Sequence, residues 1–219
     1  MKQMNNLNKA ISKIGFFLVF LFLTSSLLAQ TTYFVDASKS DDTGDGLTWA
    51  TAKKYLQSGL ALTTSGDEIW VADGVYYPDE GDGVSNNNLT DAFTLIEGVK
   101  MYGGFAGNET LLSQRDWATN LTILSGDITQ DDTNTDGNFI AETTTDIVGS
   151  NSYHVVYAEG NGTSDITSAS VLDGFYITAG AGTGAAFPNN LGGGFLFYGN
   201  GTGNEVSPGV SNCSFYGNL

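Results

Sequence analysis

The chain of 219 residues carries 24 acidic and only eight basic residues, which gives a formal net charge of −16 at pH 7. This balance excludes nucleic acid as a partner, because binding a polyanion requires clustered Lys and Arg, and it suits a solvated extracellular surface that can attract calcium. A single cysteine, Cys213, excludes an intramolecular disulfide framework, and a single histidine, His154, excludes a multi-histidine zinc site. With 29 glycines and three prolines, the composition favours short β-strands joined by glycine-rich turns.

Residues 1–29 have the pattern of a secretory signal peptide. Three lysines precede an apolar run over 14–23, and the small-residue stretch TSSLLAQ follows it. The pattern predicts cleavage after Ala29. A membrane anchor is the alternative, but the apolar run is shorter than the roughly 20 residues that a bilayer requires, so we expect no transmembrane segment after cleavage. The mature chain would keep five basic against 24 acidic residues, a net charge of −19.

The segment 30–67 is predicted to hold one strand and one helix. TYFVDA (32–37) alternates as a strand does, and WATAKKYLQSGLAL (49–62) has apolar residues at helical spacing. We expect a single amphipathic helix over 49–62, with Thr48 as its N-cap, that covers the first round of the strands that follow. Its predicted inward face consists of Trp49, Ala52, Leu56 and Leu60.

From residue 68 to residue 219 the sequence reads as a series of short strands. LDGFYITAG (172–180) aligns with VSNCSFYGN (210–218) at an offset of 38 residues, so that apolar positions correspond and both stretches end in a glycine or asparagine turn. Because that offset is long for one round, residues 181–208 are expected to hold an extra short strand or a bulging loop. The predicted strands are EIWVADGVYY, FTLIEGVKMYGGFAG, NLTILSGDI, YHVVYAE, ASVLDGFYITAG, GGGFLFYG and GVSNCSFYGN.

Short repeated strands that cannot bury an apolar face alone can do so by stacking on the next round. The sequence therefore predicts an all-β fold, a parallel β-helix (solenoid) with one amino-terminal capping α-helix. An antiparallel β-sandwich is the alternative, but tight two-residue hairpin signals are few. The predicted organisation is a signal peptide over 1–29, a strand and capping helix over 30–67, and parallel coils over 68–219.

An ordered set of motifs carries a family resemblance: YFVDASKSDDTGDGLTWATA, GDEIWVADGVYYP, GVKMYGGFAGNETLLSQRDW, TILSGDI, NSYHVV and LDGFYITAG. Together they resemble the amino-terminal part of secreted right-handed parallel β-helix proteins. That family includes polymorphic outer-membrane-protein-like repeat proteins with a pectate-lyase-like fold and other large surface proteins of Bacteroidetes-type bacteria. The resemblance spans nearly all of 32–218 and implies the architecture and a location outside the cell, secreted or associated with the outer membrane. It transfers no catalytic residues. Because such proteins are longer, it implies an amino-terminal fragment whose last strand awaits a further coil.

One loop is a candidate calcium site. In DITQDDTNTDGN (127–138), Asp132, Asn134 and Asp136 occupy alternate positions before a glycine, as in the first half of a D-x-N-x-D-G calcium loop. The twelfth position is Thr143 instead of glutamate, so an acidic solvated loop is the alternative. DDTGDG (41–46) is a weaker version of the same pattern.

Two sets of residues are candidates for catalysis. Arg115, the only arginine, could serve a polysaccharide lyase as a base; the alternative is a loop residue paired with Asp116. Asp127, Asp131 and Asp132 could supply the carboxylate pair of a glycoside hydrolase, but only their proximity in sequence supports this.

These observations favour an exported cell-surface module that is structural, adhesive or glycan-binding and non-catalytic in this segment. Its expected partner is a carbohydrate or a host or cell-surface protein, for which the aromatic residues of VYYP and FLFYG are candidate contacts. The alternative is the amino-terminal part of a carbohydrate-active enzyme, a polysaccharide lyase or a glycoside hydrolase, with catalytic coils beyond Leu219.

Overall fold

A computed structural model describes residues 30–162 and 165–219, so the predicted signal peptide lies outside the described residues. The described part is all-β, with almost no helix. No helix within it is both long and apolar enough to span a bilayer. Its strands are β1 (Thr32–Val35), β2 (Glu68–Ala72), β3 (Gly74–Tyr76), β4 (Phe93–Thr94), β5 (Lys100–Phe105), β6 (Thr122–Ser125), β7 (Val156–Gly160), β8 (Val171–Asp173), β9 (Tyr176–Thr178), β10 (Phe195–Gly199), β11 (Gly209–Ser211) and β12 (Ser214–Tyr216).

The strands form three parallel sheets that the chain visits in a fixed order. The first sheet has the order β1-β2-β5-β8-β11, the second β3-β6-β9-β12, and the third β4-β7-β10. From β2 onward, each round of three consecutive strands therefore places one strand in each sheet. Every pairing between these strands is parallel. The antiparallel sandwich is excluded for the described residues.

The strand register confirms the alignment that the sequence suggested. Val210 of β11 pairs with Leu172 of β8, and Phe215 of β12 pairs with Ile177 of β9, which reproduces the offset of 38 residues. The extra strand expected within 181–208 is β10, which pairs with β7 in the third sheet.

One apolar core lies between the three sheets. In the first sheet Ile69, Met101 and Leu172 are neighbours in register, and all three are buried. The second sheet contributes Leu124 beside Ile177, and the third sheet and its flanks add further aromatic and aliphatic side chains to the same cluster. Each such side chain stabilises the fold by roughly 1.5–3 kcal/mol through burial. Stacking of inward side chains from successive rounds is therefore the main source of stability.

The predicted single helix over 49–62 is wrong. The segment contains a 3-10 turn, Trp49–Thr51, and a separate five-residue helix, α1 (Leu56–Leu60). Thr48 does act as a cap, but of the 3-10 turn, where its hydroxyl accepts from the Thr51 amide at 3.2 Å. Both ends of α1 are leucines that reach the core, as predicted, and α1 contacts β1 and β2.

The helix is interrupted because Lys53 joins the free edge of β1. Its amide donates to the Phe34 carbonyl at 2.9 Å, and its carbonyl accepts from the Asp36 amide at 2.8 Å. The Phe34 amide on the same edge donates to the Gly46 carbonyl at 2.8 Å. An extended residue at position 53 cannot also be helical, and these strand-like hydrogen bonds outweigh a modest helix propensity.

Trp49 does not share the inward face predicted for it. It packs outside the first sheet against Phe34 and Phe105, with ring centroids 4.7 and 5.6 Å away. Trp70 stacks on Phe105 at 4.7 Å, and the Trp49 indole donates to the Glu109 carbonyl at 2.9 Å. A second, outer aromatic cluster therefore attaches the loops to the first sheet.

Candidate functional site

Arg115 is a clamp between rounds of strands. Its guanidinium contacts the Asp173 carboxylate at 2.7 Å and donates to the carbonyls of Gly103 and Asp173, each at 3.1 Å. The predicted pairing with Asp116 is wrong, because the Asp116 carboxylate accepts from the nearby residues 118 and 119 instead.

Aromatic rings complete this environment. The Arg115 guanidinium lies 5.1 Å from the Tyr102 ring centroid and 4.9 Å from that of Trp117. Only 8% of its side chain is exposed. Arg115 is therefore engaged in holding β5 and β8 together, and little of it is accessible to a substrate.

Asp127 folds the long acidic loop back on itself. It follows β6, is buried, and forms an isolated antiparallel bridge with Asn151. Its two carboxylate oxygens accept from the amides of Asp131 and Asp132, at 3.1 and 3.0 Å. The start of the loop therefore wraps around one buried carboxylate.

Asp132 ties the beginning of this loop to its end. One of its oxygens accepts from the Val148 amide at 2.7 Å, and the other accepts from the Asn151 side-chain amide at 2.8 Å. One oxygen each from Asp127, Asp131 and Asp132 lies within 4.8 Å of the others. Among the described residues, none of the three forms an ion pair with Lys or Arg.

The electrostatics follow from this crowding. Burial raises the pKa of Asp132 to about 6, with a further rise from the charges of Asp127 and Asp131 against the hydrogen bonds from Val148 and Asn151. Burial likewise raises the pKa of Asp127. Nearby, burial and the charges of Asp127 and Glu80 raise the pKa of Tyr77 to about 12. The loop therefore concentrates negative charge that no cationic side chain neutralises in the described part of the chain.

The structure thus groups the three carboxylates that the sequence linked by proximity alone. Of the predicted calcium ligands, Asp132 belongs to this group and Asp136 does not. The Asn134 side-chain oxygen accepts from the Gly137 amide at 3.0 Å, and the Asp136 carboxylate accepts from Asn138. The oxygens of Asp127, Asp131 and Asp132 are the donor type that calcium prefers. The calcium loop itself stays a prediction.

Beside these carboxylates lies a small cleft of about 190 Å³. Its wall is partly strained, because Gln130, Phe139 and Ala179 all adopt left-handed φ angles of 55°, 62° and 62°. Such backbone conformations are costly for residues other than glycine and concentrate at functional sites. The lining residues are Tyr77, Ser125, Asp127, Gln130, Asp132, Thr133, Asn134, Phe139, Ile140, Ala141 and Ala179.

The second acidic stretch, 41–46, serves local structure. The Asp42 carboxylate accepts from the amides of Lys54 and Tyr55, at 2.6 and 3.2 Å. The Asp45 carboxylate accepts from the Thr51 hydroxyl at 2.6 Å. These contacts hold the loop that leads into α1, and none of the stretch belongs to the grouped carboxylates found in the described residues.

His154 and Cys213 have structural surroundings. His154 precedes β7 instead of lying within a strand; it is buried, its Nδ1 lies 3.3 Å from the Gly192 carbonyl, and burial lowers its pKa. Cys213 is half-buried beside the core, its thiol lies 3.6 Å from the Leu172 carbonyl, and burial raises its pKa. A neutral imidazole and a protonated thiol suit packing better than nucleophilic chemistry.

Comparison with known proteins gives no further guide. No protein-family model matches the chain, and neither a curated protein nor a solved structure matches it. The function is therefore inferred from the geometry of the molecule itself.

Proposed function

We propose that the chain forms a right-handed parallel β-helix. Parallel pairing throughout, the fixed order in which successive strands enter the three sheets, and a single core between them support this architecture. The handedness follows the strong general preference for right-handed crossover connections between parallel strands. In this architecture α1 lies over the first round as a short cap.

On this scaffold we propose an exported surface module that binds glycans, or a host or cell-surface protein, and is non-catalytic in this segment. The observation that carries the non-catalytic choice is that both catalytic candidates contribute to the fold. Arg115 joins β5 to β8, and the carboxylates of Asp127 and Asp132 accept the hydrogen bonds that shape their loop. The acidic cleft and the exposed aromatic Phe197 offer a binding surface, and ligand binding there does not require Arg115, Asp127 or Asp132 to break the contacts that hold the fold.

A glycoside hydrolase is the second candidate. It is favoured by the closeness of Asp127 and Asp132 and by the pKa of about 6 of Asp132, since such an enzyme uses a pair of carboxyl groups, one of which is a general acid with a raised pKa. In that case the segment would be the amino-terminal part of a carbohydrate-active enzyme.

Three measurements test the proposal. Expression of the full chain with mass analysis of the secreted product should give a chain that begins at Gln30. A glycan array probed with that product, with calcium and with EDTA, should reveal retained glycans. The same glycans, incubated with the protein and assayed for new reducing ends and for unsaturated products, should stay intact. Release of either product would favour the enzyme, and an array without any retained glycan would contradict the glycan-binding function.

A further inference from the structure

We propose that the cleft beside β6 binds a single sugar unit that carries a protonated amino group. The inference rests on the proposed glycan-binding function and names its ligand class, a hexosamine with a free amine. It combines the size of the cleft, the charge of its lining and the two aromatic rings that lie in it.

The cleft is small enough to limit the size of its ligand. Its volume of about 190 Å³ is below the roughly 300–1,000 Å³ of pockets that enclose a whole drug-sized ligand. A single pyranose unit matches this scale better than an oligosaccharide does. The rest of a chain would have to lie along the open surface.

Charge decides the kind of sugar. Asp127 and Asp132 line the cleft, and no Lys, Arg or His is found among the described residues of its wall. Glu80 adds a third carboxylate nearby, because it accepts from the side-chain amide of Gln130, which is itself part of the lining, at 3.2 Å. An ammonium group would give these carboxylates a charge-assisted partner. A uronate would be repelled.

The aromatic rings favour the same ligand. Tyr77 and Phe139 both line the cleft, and Phe139 is 57% exposed although its ring is apolar. An aromatic face attracts a cation and packs against the apolar face of a sugar ring. The amides of Gln130 and Asn134 can exchange hydrogen bonds with the hydroxyls. Cation, ring and hydroxyls of an amino sugar therefore each meet a matching group.

The test compares two ligands that differ only in the substituent on nitrogen, together with an acidic oligosaccharide. Isothermal titration calorimetry of the secreted protein in EDTA at pH 7 would use β-1,4-linked tetramers of glucosamine and of N-acetylglucosamine, and a tetramer of galacturonate. We expect the glucosamine tetramer to bind at least tenfold more tightly than its acetylated counterpart, and the galacturonate tetramer not to bind.

Two variants and a control address the site. Asp132→Asn should weaken binding of the glucosamine tetramer roughly tenfold to a hundredfold, as expected for loss of a charged hydrogen-bond partner. Phe139→Gly should weaken it about two- to fivefold through loss of a ring, and glycine adopts the φ of 62° at this position readily. Asp73→Asn, at an exposed carboxylate outside the cleft lining, changes the charge equally and should leave binding unchanged.

Each result has a definite meaning. Equal binding of the acetylated tetramer, dependence on calcium, or full binding by both variants that still melt cooperatively would each overturn the assignment of this cleft. If the array retains other glycans while the glucosamine tetramer is ignored, only this inference fails. If the array retains nothing, the proposed glycan-binding function fails as well.

Discussion

Removing the Arg115 side-chain charge should destabilise the fold more than any surface ion pair could. The variant Arg115→Met keeps most of the side-chain volume but leaves the Asp173 carboxylate, 13% exposed, without its cation. It also removes two donors from the carbonyls of Gly103 and Asp173. Breaking a buried pair from one side costs about 3–5 kcal/mol. Because the Asn212 amide still donates to Asp173 at 2.8 Å, we expect the lower end, about 3 kcal/mol.

The assay is equilibrium unfolding in urea, followed by tryptophan fluorescence and by circular dichroism. Coincident transitions with an unchanged m-value are required before the free energies of unfolding are compared. Lys39→Met is the matched control, because Lys39 pairs with Asp36 at 3.1 Å with 28% of its side chain exposed, and such a pair contributes about 0–1 kcal/mol. If Arg115→Met costs no more free energy of unfolding than Lys39→Met, the clamp between β5 and β8 does not exist in solution.

Three further predictions concern packing and charge. Gly180→Ala would bring a Cβ to 1.9 Å from the Gly193 carbonyl oxygen and should lower the free energy of unfolding by about 3 kcal/mol in urea melts. Gly209→Ala is the control, because its Cβ would have no neighbouring atom closer than 3.6 Å and should change that free energy by less than about 1 kcal/mol. Since the folded-state pKa of Asp132 is raised to about 6, its contribution to stability is present at pH 4 and is lost as the pH rises through 6. In a series of thermal melts, Asp132→Asn should remove this part of the dependence of the melting temperature on pH. An unchanged dependence on pH would contradict the raised pKa. Burial alone would raise the pKa of Glu97, but hydrogen bonds from Thr167 and Ser170 outweigh burial and lower it. Glu97→Gln should therefore lower the free energy of unfolding by about 1 kcal/mol at pH 7, and by progressively less as the pH falls through that lowered pKa. An equal loss at both ends of the pH range would contradict this prediction.

The features that the sequence predicted well are those set by short-range periodicity. Alternation identified most of the strand-forming stretches, and the matching of apolar positions predicted the pairing of Leu172 with Val210. Four predicted strands were too long, because each contains two: EIWVADGVYY is β2 and β3 separated at Asp73, FTLIEGVKMYGGFAG contains β4 and β5, ASVLDGFYITAG contains β8 and β9, and GVSNCSFYGN contains β11 and β12. Each contains a place where the chain changes sheet, and alternation alone does not mark such a corner.

Features that depend on contacts between residues far apart in the chain could not be predicted from the sequence. Arg115 and Asp173 are 58 residues apart, so no local pattern distinguishes that pairing from one with the adjacent Asp116. Residues 49–62 do have apolar side chains at helical spacing, but the backbone of Lys53 forms hydrogen bonds with the edge of β1 and so interrupts the helix.

The candidate site lies between these cases. Asp127, Asp131 and Asp132 are close in sequence, and the structure keeps them close in space. Their surroundings could not be read from the loop, because Asn151 returns from its far end to contact Asp132 and Tyr77 comes from the round before. Sequence reasoning therefore found the carboxylates and missed the wall of the cleft.

The contacts of residues 46 and 53 with β1 have a consequence for self-association. Exposed strand edges are the usual templates for amyloid-like growth. Here the outward amides of Phe34 and Asp36 and the outward carbonyl of Phe34 are already bonded to the chain's own backbone. A stray extended peptide would have to displace three hydrogen bonds, each worth about 1 kcal/mol, before it could dock. Fibril growth from the edge of β1 is therefore disfavoured because that edge is already hydrogen-bonded, and no charged side chain is needed to block it.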